Sequence, residues 1–386
     1  VDVRVINRLT SSWLSAEGAG VVSGAGAWPL LAVLASSADE PGRSELAQAV
    51  GLPADQCMEA ARAVLKLIGG ADGVDAALGL WAHAAAQIDP DWAAQLPVAG
   101  VGELTGDAAV DQPKLDAWAR ENTRDLIERF PVDTDPDMML MLASALAVRT
   151  EWTRRFSDEH LVPRSGPWAK QRIAGLTRSW PELDDVVVAR TEAAGPLTLT
   201  RVEGDNGIDV HLVLGDEQRT GHEVLPAAID ALAGELELTA GSSLLEAADA
   251  GARPAPGLEV VPAQKRGVSM TTVRFTVRSD HDLMAHAALF GLDTVRRRDK
   301  GHFSRIGPVP LHVDQARQSA VAIFSATGFE AAAVTAIGMR MVSMPMRKER
   351  GLQVTYDRPF GFLAVHRDSG LVLFAGWVQT AEPARR

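Results

Sequence analysis

Cysteine is almost missing from this chain of 386 residues: Cys57 stands alone. That excludes an intrachain disulfide framework and any Cys-x-x-Cys metal site, and it makes a buried thiol the plain reading of Cys57. No apolar run approaches the roughly 18 residues that a membrane-spanning helix needs. No Asn-x-Ser/Thr acceptor occurs. Positive charge is in deficit, with a net charge of −12. Nucleic acid and anionic membrane are thereby disfavoured as partners, because both need a dominant positive field. The chain opens at Val1 rather than Met, which leaves a removed leader open, and with it both an extracellular and a cytoplasmic location.

Recognisable catalytic chemistry is also lacking. There is no Gly-x-Ser-x-Gly, His-Glu-x-x-His or P-loop pattern. Gly18-Ala19-Gly20-Val21-Val22-Ser23-Gly24 comes near a dinucleotide loop, but its last glycine falls one place late and no Rossmann unit follows. Asp280, His281, Asp282 and His286 suggest a metal site, yet on a helix the two histidines would point about 140° apart, at roughly 100° per residue. Surface histidines and a capping aspartate are the simpler reading, with no metal and no cofactor. Arg296-Arg297-Arg298-Asp299-Lys300 reads as a solvated loop. These absences lean away from an enzyme, and no catalytic residue is assigned.

What is present is a globular composition, 46% hydrophobic and 23% charged, ample for a core. Val5, Ile6, Leu9 and Trp13 recur at helical spacing. Ser44 to Gly51 reads as a short helix capped by Ser44 and stopped by Gly51. Leu115, Trp118, Ala119, Asn122 and Leu126 form a second stripe, ended near Pro131. Ser279 to Gly291 repeats the capped pattern, with Leu283, Ala287 and Phe290 inward. Met138 to Val148 is nearly continuous apolar sequence, as suits a strand buried on both faces. Ile208, Val210, Leu212 and Leu214 alternate with other residues, as do Val273, Phe275 and Val277. Gly361 to His366 and Leu371 to Val378 flank a hairpin turn at Arg367-Asp368-Ser369-Gly370. Ser157 to Trp168 and Gly241 to Gly257 read as loops. Without repeats or a marked composition shift, one α+β domain over residues 1–386 is expected.

The informative stretch is 316–360. A strand, Ala320-Val321-Ala322-Ile323-Phe324, is followed by Gly328-Phe329-Glu330-Ala331-Ala332-Ala333-Val334-Thr335, then by Met339-Arg340-Met341-Val342-Ser343-Met344-Pro345-Met346. A charged run leads to a new strand at Leu352. Loops beyond roughly 12–15 residues are usually functional or disordered, and a disordered linker would be polar. This one is small and apolar in its first half, and no proline lies between Leu311 and Met344. A central strand excludes proline because each N–H must pair. The first half is therefore compatible with an inner strand, although Ala331 to Ala333 also favour an ordinary helix.

Gly328 to Thr335 resembles the hinge of a serpin reactive-centre loop. Further matches follow in the family's order. They include Val21-Val22-Ser23 and Leu30 to Ser36; Trp118, Thr123 and Ile127; and Leu142-Ala143-Ser144-Ala145 with Trp152 and Phe156. Phe275, Asp282-Leu283, Leu289, Gly291-Leu292 and Phe303-Ser304 come next. Arg358-Pro359-Phe360, Gly370, Leu373-Phe374, Gly376 and Val378 close the set. On these residues the chain is identified as a divergent, bacterial-type member of the serpin family. The resemblance implies an α+β serpin fold: a large mixed central sheet with further β-sheets, surrounding helices and an exposed reactive-centre loop at about 326–351. It implies a monomer that inhibits serine or cysteine proteases by suicide trapping: the loop is cut, then inserts into the sheet. In the family the cut lies fourteen residues beyond the hinge glycine, which here is Val342-Ser343; Arg340, Met341, Met344 and Lys348 are the alternatives. Valine or methionine before the cut suits an elastase-like or broad-specificity serine protease.

Several residues depart from the family pattern. Phe329 stands where a small residue is usual, and its benzyl group is expected to hinder insertion, so that Phe329→Thr would increase inhibition. Ala326 replaces an acid. Ser144 replaces Asn, Gln318 replaces a frequent His, and Gly26 replaces one of two helix serines, the other being Ser23. These positions, with Trp152, form the region that controls sheet opening, and Ser144 with Gln318 is the pair that would rebuild a shorter latch. The departures motivate the alternative: a non-inhibitory serpin-fold binding or carrier protein whose loop does not insert.

Overall fold

The computed structural model describes residues 2–17, 20–96, 101–132, 138–329 and 349–384. Among them the helices are α1 (Arg4–Glu17), α2 (Gly24–Ser37), α3 (Gly42–Val50), α4 (Cys57–Gly70), α5 (Pro90–Ala93), α6 (Ala108–Thr123), α7 (Gly221–Leu232) and α8 (Gly241–Ala247). The strands are β1 (Gly20–Val22), β2 (Val74–His83), β3 (Val101–Leu104), β4 (Leu140–Val148), β5 (Thr150–Glu151), β6 (Ser157–Leu161), β7 (Ile173–Trp180), β8 (Val186–Thr191), β9 (Gly195–Val202) and β10 (Ile208–Leu214). They continue as β11 (Leu238–Ala240), β12 (Leu258–Ala263), β13 (Val268–Val273), β14 (Phe275–Asp282), β15 (Gln315–Phe324), β16 (Gly328–Phe329), β17 (Glu349–Thr355), β18 (Phe360–His366) and β19 (Leu371–Val378). They form three sheets, in the orders β1-β19-β18-β10-β9-β8-β11, β12-β17-β13-β7-β6 and β3-β2-β4-β15-β16-β5, with β14 also on β15.

The chain divides into two compact units, each made of separate stretches. The first comprises Val1–Trp13, Val22–Val148 and Arg278–Val321. Its centre is β4, whose nine residues are all buried; apolar side chains on both faces are what a strand covered on both sides requires. β4 pairs antiparallel with β2, from Val74↔Val148 to Ala82↔Leu140. It pairs in parallel with β15, from Gln315↔Met141 to Ala320↔Leu146. α2 is apolar around its circumference and almost wholly buried, as an inner helix must be. Ser23 caps it, its hydroxyl accepting from the Gly26 N–H at 3.0 Å.

The second unit comprises Leu14–Val21, Arg149–Val277 and Ala322–Arg386. Its longest hairpin is β18–β19, with Phe360 opposite Val378 and His366 opposite Leu371. The turn is closed by Gly370 at φ 70°, a left-handed conformation that costs a side-chain-bearing residue energy. β12, β13 and β17 build a smaller sheet in which β17 lies parallel to β13 and antiparallel to β12.

Four local expectations need correction. Pro41, not Ser44, precedes α3, and the Ser44 hydroxyl donates to Glu40 Oε2 at 2.7 Å. Ser279 to Gly291 is not an α-helix: β14 runs to Asp282, which caps a 3-10 turn at Leu283–His286 by accepting from Met284 N–H. Leu283, Ala287 and Phe290 are nevertheless buried, as expected. Ser157–Leu161 is an edge strand and Gly241–Ala247 a short helix, not loops. Cys57 is fully buried, and burial pushes its thiol up to about 11, so it is inert near neutral pH.

Candidate functional site

Two places carry the residues that the sequence singles out. In the first unit, Gln318 on β15 is fully buried opposite Ser144 on β4. Its amide grips the backbone of Ser23 twice: Oε1 accepts from the Ser23 N–H at 2.8 Å, and Nε2 donates to the Ser23 carbonyl at 2.9 Å. Nε2 also reaches the Ser144 hydroxyl at 3.4 Å. Three chain segments thus meet through one carboxamide. Gly26 completes the packing: a Cβ there would lie 2.6 Å from Ser144 Oγ and 3.1 Å from Gln318 Nε2, so the longer amide occupies space that a side chain at 26 would need. An amide does not titrate, so this junction keeps its bonds where a histidine would change charge.

In the second unit the backbone reverses after β15. Phe324 pairs with Phe329, and Gly328 and Phe329 also pair with Glu151 and Thr150 of β5. The two-residue β16 is therefore held on both edges. The reversal at 325–328 is tied by Ser325: its N–H donates to the Gly328 carbonyl at 2.9 Å, as does its hydroxyl at 3.0 Å. Gly328 sits where a Cβ would fall 2.3 Å from the Thr150 carbonyl oxygen, so close approach demands glycine. Trp152 is 3% exposed; its indole N–H donates to the Ser325 carbonyl and its backbone N–H to that of Thr327, both at 2.9 Å. Ala326 is buried, its carbonyl accepting from Phe156 N–H at 2.8 Å, and a carboxylate on this side chain would be buried.

Phe329 itself is 1% exposed. The side chain is enclosed in this structure, at the end of a chain of aromatic rings. Its ring centroid lies 6.0 Å from that of Phe362. Phe362 is 5.1 Å from Phe275, which stacks on Phe324 at 5.2 Å, and Phe324 is 4.9 Å from Trp152. Beyond Phe156 the Arg178 guanidinium lies over the Phe156 and Trp180 rings at 4.6 and 4.5 Å. Burial lowers its pKa to about 10, against the pull of Asp185. Thr150, Ser325, Phe362 and Arg178 were not singled out from the sequence, whereas Phe275 was, as an alternating strand residue; for Phe362 the signal was the alternation in Phe360-Gly361-Phe362.

Glu330, Ala331, Ala332, Ala333, Val334 and Thr335 of the expected hinge lie outside the described residues. So do Arg340, Met341, Val342, Ser343, Met344 and Lys348. The described residues contain no group of acids, histidines or cysteine arranged to hold a metal ion, and no described helix is long and apolar enough to cross a membrane. Asp280–Asp282 lie on β14 rather than on a helix.

The model of the serpin (serine protease inhibitor) family matches residues 260–381, the span that contains β15, β16 and the β18–β19 hairpin. Solved serpin structures align over nearly the whole chain. The chain has the serpin fold, and its C-terminal third matches the family by sequence. Thyroxine-binding globulin, solved with thyroxine, aligns with a TM-score of 0.74 at 12% identity, covering 99% of each chain. Tengpin, a thermophilic serpin in its native state, aligns at 0.72 and 15% identity, over 98% of this chain and 93% of that chain. Serpin48 from the insect Tenebrio molitor, described as highly specific, aligns at 0.69 and 18%, over 98% of each. No curated protein matches this chain by sequence. At such identities the structural likeness establishes an α+β serpin fold, and serpins are generally protease inhibitors rather than enzymes.

Proposed function

We propose that this protein, read as one serpin domain, inhibits serine proteases, with cysteine proteases the second class, by suicide trapping. The observation that carries the reading is the forked edge of β15. Gln315 to Ala320 pair directly with β4, while Phe324 pairs with Gly328-Phe329, which is already a strand between β15 and β5. On this reading the chain after Phe329 adds to the sheet as a new strand. Small side chains at Ala331 to Ala333 suit a strand that must enter a packed sheet.

In this mechanism the protease nucleophile bonds to the carbonyl carbon of Val342. The Val342-Ser343 peptide bond breaks, and Ser343 leaves as a free amine. The released segment then adds to the sheet, gaining backbone pairing on both edges, and carries the acylated protease with it before water can cleave the ester. Insertion requires β4 and β15 to part, so the Gln318–Ser144 contact between them has to yield. Arg340, Met341, Met344 and Lys348 remain the alternatives for the residue before the cut.

Incubation with an elastase-like protease tests this. The expected product is a covalent complex stable in denaturant, with mass spectrometry placing the acyl bond at Val342. Ala331→Arg is expected to abolish the complex and leave cleaved protein, because a charge would have to enter the sheet. Cleavage without any complex in the unmodified protein, across several serine proteases, would refute the reading.

A further inference from the structure

The first rung of the inserting strand is formed in this structure, and what fills the space behind it is an aromatic side chain. Phe329 is 1% exposed, faces Phe362 at 6.0 Å, and has its backbone paired on both sides. The approach of Gly328 to Thr150 leaves no room for a Cβ, and Ser325 ties the preceding turn by two bonds to the Gly328 carbonyl. A hydroxyl-bearing residue at 329 would leave part of that aromatic site empty and place a polar atom beside phenyl rings.

We propose that Phe329 is a positioning residue for trapping: an aromatic anchor that keeps the first rung formed before any cut. This rests on the inhibitory reading above. Adding a strand is slow to start because the first pair must be ordered before later pairs gain anything. With Phe329 seated, the freed segment extends an existing strand, so insertion competes better with hydrolysis of the acyl bond. The consequence is opposite to what side-chain bulk alone suggests. Phe329→Thr and Phe329→Ala weaken trapping: more loop molecules are cut and released for each protease captured, while the rate of the first cut is unchanged.

Hydrogen exchange of the uncleaved protein reads the anchor without any protease. Amides across residues 325–329 are expected to be protected, and to exchange at least about tenfold faster in Phe329→Ala, with Phe329→Leu close to the original protein. Equal exchange in the original and the alanine variant overturns the anchor. Should Phe329→Ala not fold, Phe329→Val carries the same comparison. The second readout is the number of cuts per trapped protease, expected to rise in Phe329→Ala and to be largely restored in Phe329→Leu. Faster exchange with an unchanged number overturns the positioning role. If the original protein traps no protease while the exchange difference is present, the inhibitory reading fails and the anchor stands.

Discussion

Gly26→Ala offers a sharp test of the packing at the Gln318 junction, because ordinary helix propensity and this structure call for opposite signs. Gly26 lies in the first turn of α2, where replacing glycine by alanine normally stabilises by about 0.5–1 kcal/mol. Here the added methyl would stand 2.6 Å from Ser144 Oγ and 3.1 Å from Gln318 Nε2. Both neighbours are buried and bonded, so relief requires displacing them at a cost of about 1–3 kcal/mol. Taking the middle of that range, about 2 kcal/mol, the net effect once the propensity gain is subtracted is destabilisation by roughly 1–1.5 kcal/mol. Ser144→Ala removes the nearer obstacle, so the double variant should recover most of that loss. Urea unfolding of the uncleaved protein, run as a double-mutant cycle, measures the coupling. A Gly26→Ala protein as stable as the original, or a penalty that persists unchanged in the Ser144→Ala background, would refute this account of the junction.

Other outcomes follow from the same geometry. Gln318→Met keeps the shape but removes both bonds to the Ser23 backbone, whose carbonyl keeps the Ala27 N–H. Losing two buried hydrogen bonds, at about 1 kcal/mol each, should lower the melting temperature by a few degrees, and an unchanged value would contradict the twofold grip. His211, half-buried on β10, has its pKa lowered by burial to about 4, against the opposing pull of Asp209. The unfolded chain then binds the proton more readily between about pH 6.5 and 4, so stability falls as pH drops through that window and levels off below it. The loss is about 2 kcal/mol after allowance for partial exposure. Comparing urea unfolding of the original protein and His211→Gln at pH 7 and pH 4.5 isolates it, and parallel pH dependences would refute the assignment.

Much of this fold was legible in the chain because its strongest elements are written in their own residues. Leu140–Val148 has to be buried on both faces, and the two apolar runs around Asp368 have to form a hairpin. Errors fell where tertiary pairing overrode local pattern. Ser157–Leu161 is polar enough to read as loop, yet pairs with Thr177 to Ile173 on β7. Residues 279–282 carry helical spacing but belong to β14. The seat of Phe329 was illegible for the same reason: Thr150, Phe275 and Phe362, which define it, are far away in sequence. Seen locally, a phenylalanine there is an obstacle; placed against Phe362 and two strands, it fills a site. The grip of Gln318 on Ser23 joins residues separated by 295 positions and was foreshadowed only as a pairing with Ser144.

Thermal unfolding before and after a single protease cut in the loop, with mass spectrometry locating the cut, tests loop insertion most directly. An inserted strand adds several backbone hydrogen bonds, each worth about 1 kcal/mol net, together with buried side chains. The melting temperature of the cut protein should therefore rise by on the order of 10 °C or more. A cut protein that melts at or below the temperature of the uncut one would contradict insertion, and with it the trapping mechanism.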